Sequence, residues 1–242
     1  MDNTTYIALA NQLALTRQMD IVANNIANAS TTAFKGERVL FTNYLAELGP
    51  GQDQQLNFPQ DIGVSRNFEE GPLTPTGNSL DLAVSGDGFF AVNTPNGTRY
   101  TRAGAFALNA QGQIVDLAGD TVLDEHSNPI AVAPGQTHVT VSQDGTISTE
   151  SGQLARLQLV RFDDPNALSP EGANLFDASA TTPIPASGSK VIQGSIEGSN
   201  IQPVTELTHL LQIQHGIEAA QRVISAENDR QTKMIDALTK DA

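Results

Sequence analysis

The sequence has no cysteine and no tryptophan, and aromatic residues make up only 5% of its 242 positions. Without cysteine there is no disulfide framework and no thiolate metal site. Basic residues are scarce: 13 Lys and Arg stand against 27 Asp and Glu, a formal charge of −14. Such a surface repels a phosphate backbone, so nucleic acid is not an expected partner. No stretch approaches the roughly 20 apolar residues of a membrane span, and no direct membrane insertion is expected. The opening Met1-Asp2-Asn3-Thr4-Thr5 has neither a basic n-region nor an apolar h-region. A cleaved secretory signal is therefore not expected, and any export would need a dedicated machine.

Proline is missing from both ends. Residues 40–200 hold 11 of the 12 Pro and 18 of the 20 Gly, so helix-breaking residues are confined to the middle. Charge is uneven in the same way. Residues 40–200 carry 6 Lys and Arg against 18 Asp and Glu, while the remainder carries 7 against 9. Nearly neutral ends can pack against copies of themselves with little repulsion.

Asn3 to Ala29 predicts a helix capped by Asp2 or Asn3. Ala8, Gln12, Leu15, Met19, Val22, Ile26 and Ala29 form a narrow seam at alternating spacings of four and three. Ser30-Thr31-Thr32 ends it by local side-chain bonding to the backbone. The last segment gives a stronger signal. Pro203 suits a first helical turn. From there Leu210, Ile213, Ile217, Ala220, Ile224, Glu227, Gln231, Met234 and Leu238 follow a heptad seam with seven of nine apolar. A helix over 203–240 would be about 57 Å long. A seam that long outruns the N-terminal helix and implies partner helices. Gln12, Glu227 and Gln231 interrupt the seams, where they either set register or face solvent.

The middle reads as short antiparallel strands punctuated by Gly turns: 80–85, 88–93, 98–101, 105–109, 113–116, 130–133, 138–141, 146–149 and 154–162. Asn96-Gly97 and Asp144-Gly145 read as hairpin turns. Residues 163–189 read as a long surface loop with one short strand at 175–178. The expected fold is α+β. Long N- and C-terminal helices pair side by side, with an inserted, mainly antiparallel β domain that is sandwich or barrel-like. The expected domains are 1–35 with 203–242 as a terminal helical assembly domain, 36–79 as an extended connector, and 80–202 as the β domain.

Chemistry finds few candidates. Gly86-Asp87-Gly88-Phe89-Phe90-Ala91 fits a dinucleotide fingerprint, but a strand follows where a helix is required, so it reads as a β-turn. His209 and His215 are six apart and share no helical face. His126 and His138 stand alone. Asp163-Asp164 and Glu69-Glu70 lack calcium-loop spacing and read as solvated turns. No catalytic residue, cofactor site or metal site is expected. One alternative is a β-domain binding module forming a discrete oligomer. Another is a cell-wall hydrolase, which would need carboxylates such as Asp81 and Asp87 converging in a cleft.

Four ordered motifs carry a resemblance. Ala23-Asn24-Asn25-Ile26-Ala27-Asn28 with Thr31-Thr32-Ala33-Phe34-Lys35 resembles the N-terminal signature of the axial rod and hook proteins of the bacterial flagellum. Ser85-Gly86-Asp87-Gly88-Phe89-Phe90, Tyr100-Thr101-Arg102-Ala103-Gly104-Ala105-Phe106, and Gln193-Gly194-Ser195-Ile196-Glu197-Gly198-Ser199-Asn200 with Pro203-Val204 are similar to the family's later motifs. The motif positions are Asn24, Asn25, Asn28, Thr31, Thr32, Phe34, Gly88, Phe89, Gly104, Ser199 and Asn200. Ala33 departs from the family's usual Gly. If that position needs a positive φ, Ala costs on the order of 1 kcal/mol there and the local backbone would differ from its relatives.

The resemblance implies a structural subunit of the basal-body rod, with a proximal position favoured over a distal one. Such a subunit polymerises through its terminal helices into a hollow, torque-transmitting axle that also passes exported subunits. Its partners would be copies of itself, neighbouring rod proteins and the flagellar export apparatus, and its location the periplasmic rod. The expected assembly interface is Leu15, Met19, Val22, Ile26, Leu210, Ile213, Ile217, Ile224, Met234 and Leu238.

Overall fold

The computed structural model describes residues 3–47, 55–136 and 138–240, without the side chains of 3–5, 42–47, 55–62 and 237–240. The chain divides into two compact units. One comprises Met1–Ala27, Glu37–Asn67 and Gln202–Ala242; the other comprises Asn28–Gly36 and Phe68–Ile201.

In the first unit, α1 (Asn3–Ala27) is free of Gly and Pro and stops where Asn28 begins a turn. The helical unit continues with β1 (Glu37–Glu47) and β2 (Gln55–Arg66), paired antiparallel from Glu37 opposite Arg66 to Glu47 opposite Gln55. This corrects the reading of 36–79 as an extended connector. Val39, Leu40, Phe41 and Tyr44 suit a strand, but the Gln, Pro and Gly content after residue 47 hides its partner. Pro59 is tolerated in β2 because a two-stranded ribbon leaves one edge of each strand unpaired. The unit ends with α2 (Pro203–Lys240), 38 residues long. Its first turn is closed by Glu206 N donating to Gln202 O at 3.1 Å.

Two contacts fix how the helices of this unit meet. Asn25 Nδ2 lies 3.4 Å from Glu206 Oε2. The Leu15 methyls lie against Gly216, within 3.4 Å of where a Cβ would stand. The helices therefore run antiparallel, and a Cβ on Gly216 would crowd Leu15.

The second unit is a succession of short strands. They are β3 (Leu73–Pro75), β4 (Leu82–Ser85), β5 (Phe89–Thr94), β6 (Gly97–Thr101), β7 (Ala107–Leu108), β8 (Ile114–Val115), β9 (Thr121–Val122), β10 (Thr140–Val141), β11 (Thr146–Thr149), β12 (Gly152–Arg156), β13 (Leu159–Arg161), β14 (Ser169–Pro170), β15 (Leu175–Asp177), β16 (Ile184–Pro185), β17 (Lys190–Gln193) and β18 (Ser195–Glu197). The largest sheet runs β14-β15-β6-β5-β9-β8-β7, with β13 joining β5 to β16; the other pairs are β17-β4 and β18-β3, and β10-β11-β12 make a three-stranded sheet. Every pairing is antiparallel.

β5 is central because both of its faces are covered. Phe90 and Val92 enter a cluster with Leu82, Val84, Ile114, Val122 and Ile147. Phe89 and Ala91 enter another with Tyr100, Val160, Phe162 and Phe176. This unbroken apolar run thus packs on two sides, and its rings meet edge-on, Phe89 with Phe162 at 5.5 Å and Phe90 with Phe106 at 5.2 Å.

Several strand expectations change. The run 154–162 is two strands, broken where Leu157 N turns aside to bond Gly145 O. Residues 130–133 form no strand, only one isolated bridge from Ala131 to Gln113. The expected loop 163–189 holds a 3₁₀ turn and β14, β15 and β16; β15 pairs with the Tyr100–Thr101 end of β6. These strands are two or three residues long, too short for a periodic signal.

Candidate functional site

All four motif segments meet in the β unit around one buried ion cluster, Lys35, Arg102 and Glu197. Glu197 Oε1 accepts from Lys35 Nζ at 2.5 Å and from Gly71 N at 2.8 Å. Its Oε2 accepts from Arg102 Nε at 2.8 Å. Lys35, Arg102 and Glu197 are each at most 3% exposed. Lys35 Nζ also donates to Glu69 O at 2.6 Å. Arg102 Nη2 donates to Val84 O and Gly86 O at 3.2 and 3.0 Å, and its guanidinium lies 5.6 Å from the centre of the Phe89 ring. Lys35 comes from the first motif, Gly86 and Phe89 from the second, Arg102 from the third and Glu197 from the fourth.

The electrostatics follow from burial. Desolvation lowers the Lys35 pKa below the ordinary lysine value, and the Glu197 charge at hydrogen-bond distance opposes that fall. Two cations on one carboxylate would be costly in a dry site, and carbonyl oxygens share the load: Lys35 also bonds Glu69 O, and Arg102 also bonds Val84 O and Gly86 O. The cluster holds segments together, and its one amine, that of Lys35, is fully buried and bonded to Glu197 and Glu69 O.

Backbone bonds complete the clasp. Ala33 N donates to Glu197 O at 2.8 Å, and Ala33 adopts φ +57°. The positive φ considered for this position is therefore present, with Ala in place of Gly. Asn200 Oδ1 accepts from Gly36 N at 2.9 Å, and its Nδ2 donates to Glu69 O at 3.1 Å. Gly71 approaches Gly198 O so closely that a Cβ would overlap it. Residues 33–36, 69–71 and 197–200 are thus bound at the places where the chain enters and leaves the β unit.

The remaining motif residues act nearby. Asn25 is buried, and its carboxamide bonds both backbone groups of Glu37 at 2.9 Å, fixing the start of β1 against α1. Asn28 O and Oδ1 accept from Thr31 N and Oγ1 at 3.0 and 3.1 Å. Thr32 O accepts from Asn174 Nδ2 at 2.8 Å, and Phe34 O accepts from Asn200 N at 3.3 Å. Ser199 Oγ accepts from Ile201 N at 3.2 Å. Gly104 passes so near Leu82 O that any side chain would collide with it, and Gly88 is similarly confined by Val84. Asn24 lies on the exposed side of α1.

The predicted seam residues fall in the helical unit. Val22 and Ile213 are buried; Leu15, Met19, Ile26, Leu210, Ile217 and Ile224 are half-buried; Met234 is 50% exposed. Leu238 lies on α2 with its side chain outside the described residues. The seam residues up to Ile224 therefore turn inward within the chain, and Met234 does not.

Sequence reasoning missed Lys35, Arg102 and Glu197 as site residues, although each stands inside a quoted motif. The available signal was charge. Motifs otherwise built of small, polar and apolar residues each spend a charged side chain, in a chain with only 13 cations.

A hydrolytic cleft finds no support. Asp81 Oδ1 accepts from Asn78 Nδ2 at 3.0 Å, and Asp87 is exposed on its turn. A groove of about 840 Å³ on the β unit is lined by residues such as Glu125, His126, Asp144, Arg156 and Lys190, and by neither of those aspartates. All four histidines are exposed, and among the described residues no three His, Asp or Glu come together as metal ligands.

Comparison with known proteins agrees with the motifs. Residues 7–35 match the family described as flagella basal body rod protein, 83–149 the flagellar hook protein FlgE/F/G D1 domain, and 192–237 the flagellar basal body rod FlgEFG protein C-terminal family. The chain is 40% identical to the flagellar basal-body rod protein FlgF of Caulobacter vibrioides, over 99% of both chains. It is 32% identical to FlgF of Mesorhizobium japonicum, over 97% of this chain and 98% of the relative. It is 31% identical to the rod protein FlgG of Agrobacterium fabrum, over 92% and 94%. A chain matched over nearly its whole length at this identity belongs to the flagellar basal-body rod protein family, and it is a structural subunit of the rod, not an enzyme.

Proposed function

We propose that this rod subunit polymerises through its two terminal helices, paired side by side, into a hollow axle that transmits torque and passes exported subunits. The subunit occupies the proximal rod, as its 40% identity to the FlgF of Caulobacter vibrioides, against 31% to the FlgG of Agrobacterium fabrum, supports. It is delivered by the flagellar export apparatus without a cleaved signal. Its β domain, with both faces of β5 covered, is sandwich-like.

The observation that carries this reading is the mismatch in helix length. Residue numbers in contact across the helices add to 231, Leu15 with Gly216 and Asn25 with Glu206. Asn3 would then stand beside residue 228. About twelve residues of α2, roughly 18 Å, continue beyond the start of α1. On that overhang Met234 and Ile235 are 50% and 60% exposed. An apolar seam that outruns its internal partner gains from a neighbour. Each contact buries apolar area at roughly 25 cal/mol per Å² against the entropy of ordering the helix ends. A contact repeated head to tail need not close, and it then generates a helical tube.

Sedimentation of the purified chain over a range of concentrations tests this. The expected result is a monomer that passes to open-ended polymers as concentration rises. A sharp trimer, or another closed oligomer unchanged by concentration, would contradict it.

A further inference from the structure

The helical unit carries a second apolar face that its own helices do not cover. On α1, Leu9 and Leu13 are 47% and 64% exposed, and Tyr6 continues the same face. On α2, Val204, Leu207 and Leu211 are 78%, 49% and 56% exposed. Both sets follow spacings of three and four, so each is a stripe along one side of its helix. Neither belongs to the inward seam.

Charge marks the same two stretches. Residues 3–16 contain no charged side chain, and 202–217 contain only Glu206, whose carboxylate is turned to Asn25. From residue 218 to 240 there are eight charged side chains. In a protein of net charge −14, two exposed helical stretches without charge can meet with no repulsion to overcome. A solvated helix face would carry the charges that α2 shows further on.

The stripes lie at opposite ends of the antiparallel helices. By the internal register, Leu9 and Leu13 stand beside residues 222 and 218, whereas Leu207 and Leu211 stand beside 24 and 20. The two stripes are thus about 14 residues, or roughly 21 Å, apart along the axis. One copy cannot bring its own stripes together.

Resting on the reading that copies assemble through these helices, we propose that the contact between copies is this second face, not the inward seam. Leu9 and Leu13 of one copy pack antiparallel on Leu207 and Val204 of the next, with Tyr6 meeting Leu211. The residue numbers then add to 216 or 217 across the contact, against 231 within the chain. Successive copies are staggered by about 21 Å along the axis, and each has one stripe of either kind to offer. The contact is head to tail and leaves an open end.

The absence of cysteine makes the test clean. The full chain carrying both Leu9→Cys and Leu207→Cys is expressed in cells that lack their own copy, and basal bodies are oxidised and run without reductant. Positions 9 and 207 of one copy are too far apart to bridge, since a disulfide needs Cα atoms within about 7 Å. The expected result is a ladder of dimers, trimers and higher species, with each single variant giving none. Should the double variant fail to incorporate, Leu13→Cys with Val204→Cys gives the same reading. A dimer with nothing above it would overturn the proposal by showing a closed two-fold contact. Monomer alone, from basal bodies that contain the chain, would also overturn it while leaving assembly through the helices intact. Absence of the unmodified chain from basal bodies would instead defeat the underlying reading.

Discussion

Glu197 is the residue on which the β unit depends most. It answers two cations and a backbone amide at zero exposure, so removing its charge strands Lys35 and Arg102 in a dry site. Breaking a buried pair in this way costs about 3–5 kcal/mol, far more than loss of an exposed one. Glu197→Gln is expected to lower the melting transition by that order, and Lys35→Met combined with it to cost less than the two changes summed. Thermal unfolding of the four chains checks both; a loss below about 1 kcal/mol for Glu197→Gln would show that the clasp is not under strain of charge. Ala33 offers a finer balance. Relief of its positive φ by Gly is worth about 1 kcal/mol, but the buried methyl lost is worth about 0.8. Ala33→Gly should therefore be nearly neutral, while Ala33→Val, β-branched at the same φ, should destabilise by 2 kcal/mol or more. Equal effects from the two would remove the backbone explanation.

At the scale of elements, the two helices were readable in the sequence for a physical reason. Pro and Gly are absent where α1 runs, and in α2 an apolar residue returns every three or four positions over several turns, so the signal accumulates. The β unit was readable as a class but not strand by strand. Its strands at Ala107–Leu108 or Thr121–Val122 are held by neighbours distant in sequence, and two residues carry no period. The hairpin Glu37–Arg66 was missed because a strand containing Pro59 does not look like one, and only its pairing shows that the position suits. Asn25 ties this hairpin to α1 through both backbone groups of Glu37. Replacing Asn25 with Ala leaves those groups without their bonds at a buried position, at about 1–3 kcal/mol. Hydrogen exchange should then quicken in α1 and in residues 37–41, with the β5 and β6 amides unchanged. Uniform quickening through both units, or none, would contradict that assignment.

For the whole molecule, the motifs had recorded more than the periodicities could. Two short segments each send a side chain to a carboxylate that a third supplies, and a fourth closes on Arg102, a convergence that no spacing rule reveals, because the distances between them are set by intervening strands. The seam, conversely, was legible as a stripe but not in its use. The seam residues from Leu15 to Ile224 turn inward within the chain, whereas Met234 on the overhang and the stripes of the second face are exposed. Under the proposed assembly, folding and polymerisation draw on separate surfaces of the same helices. The most direct measurement of this account is motility and basal-body structure in cells whose copy lacks residues 203–242. The account predicts no complete rod and no swimming; cells that still build a whole basal body and swim would contradict it.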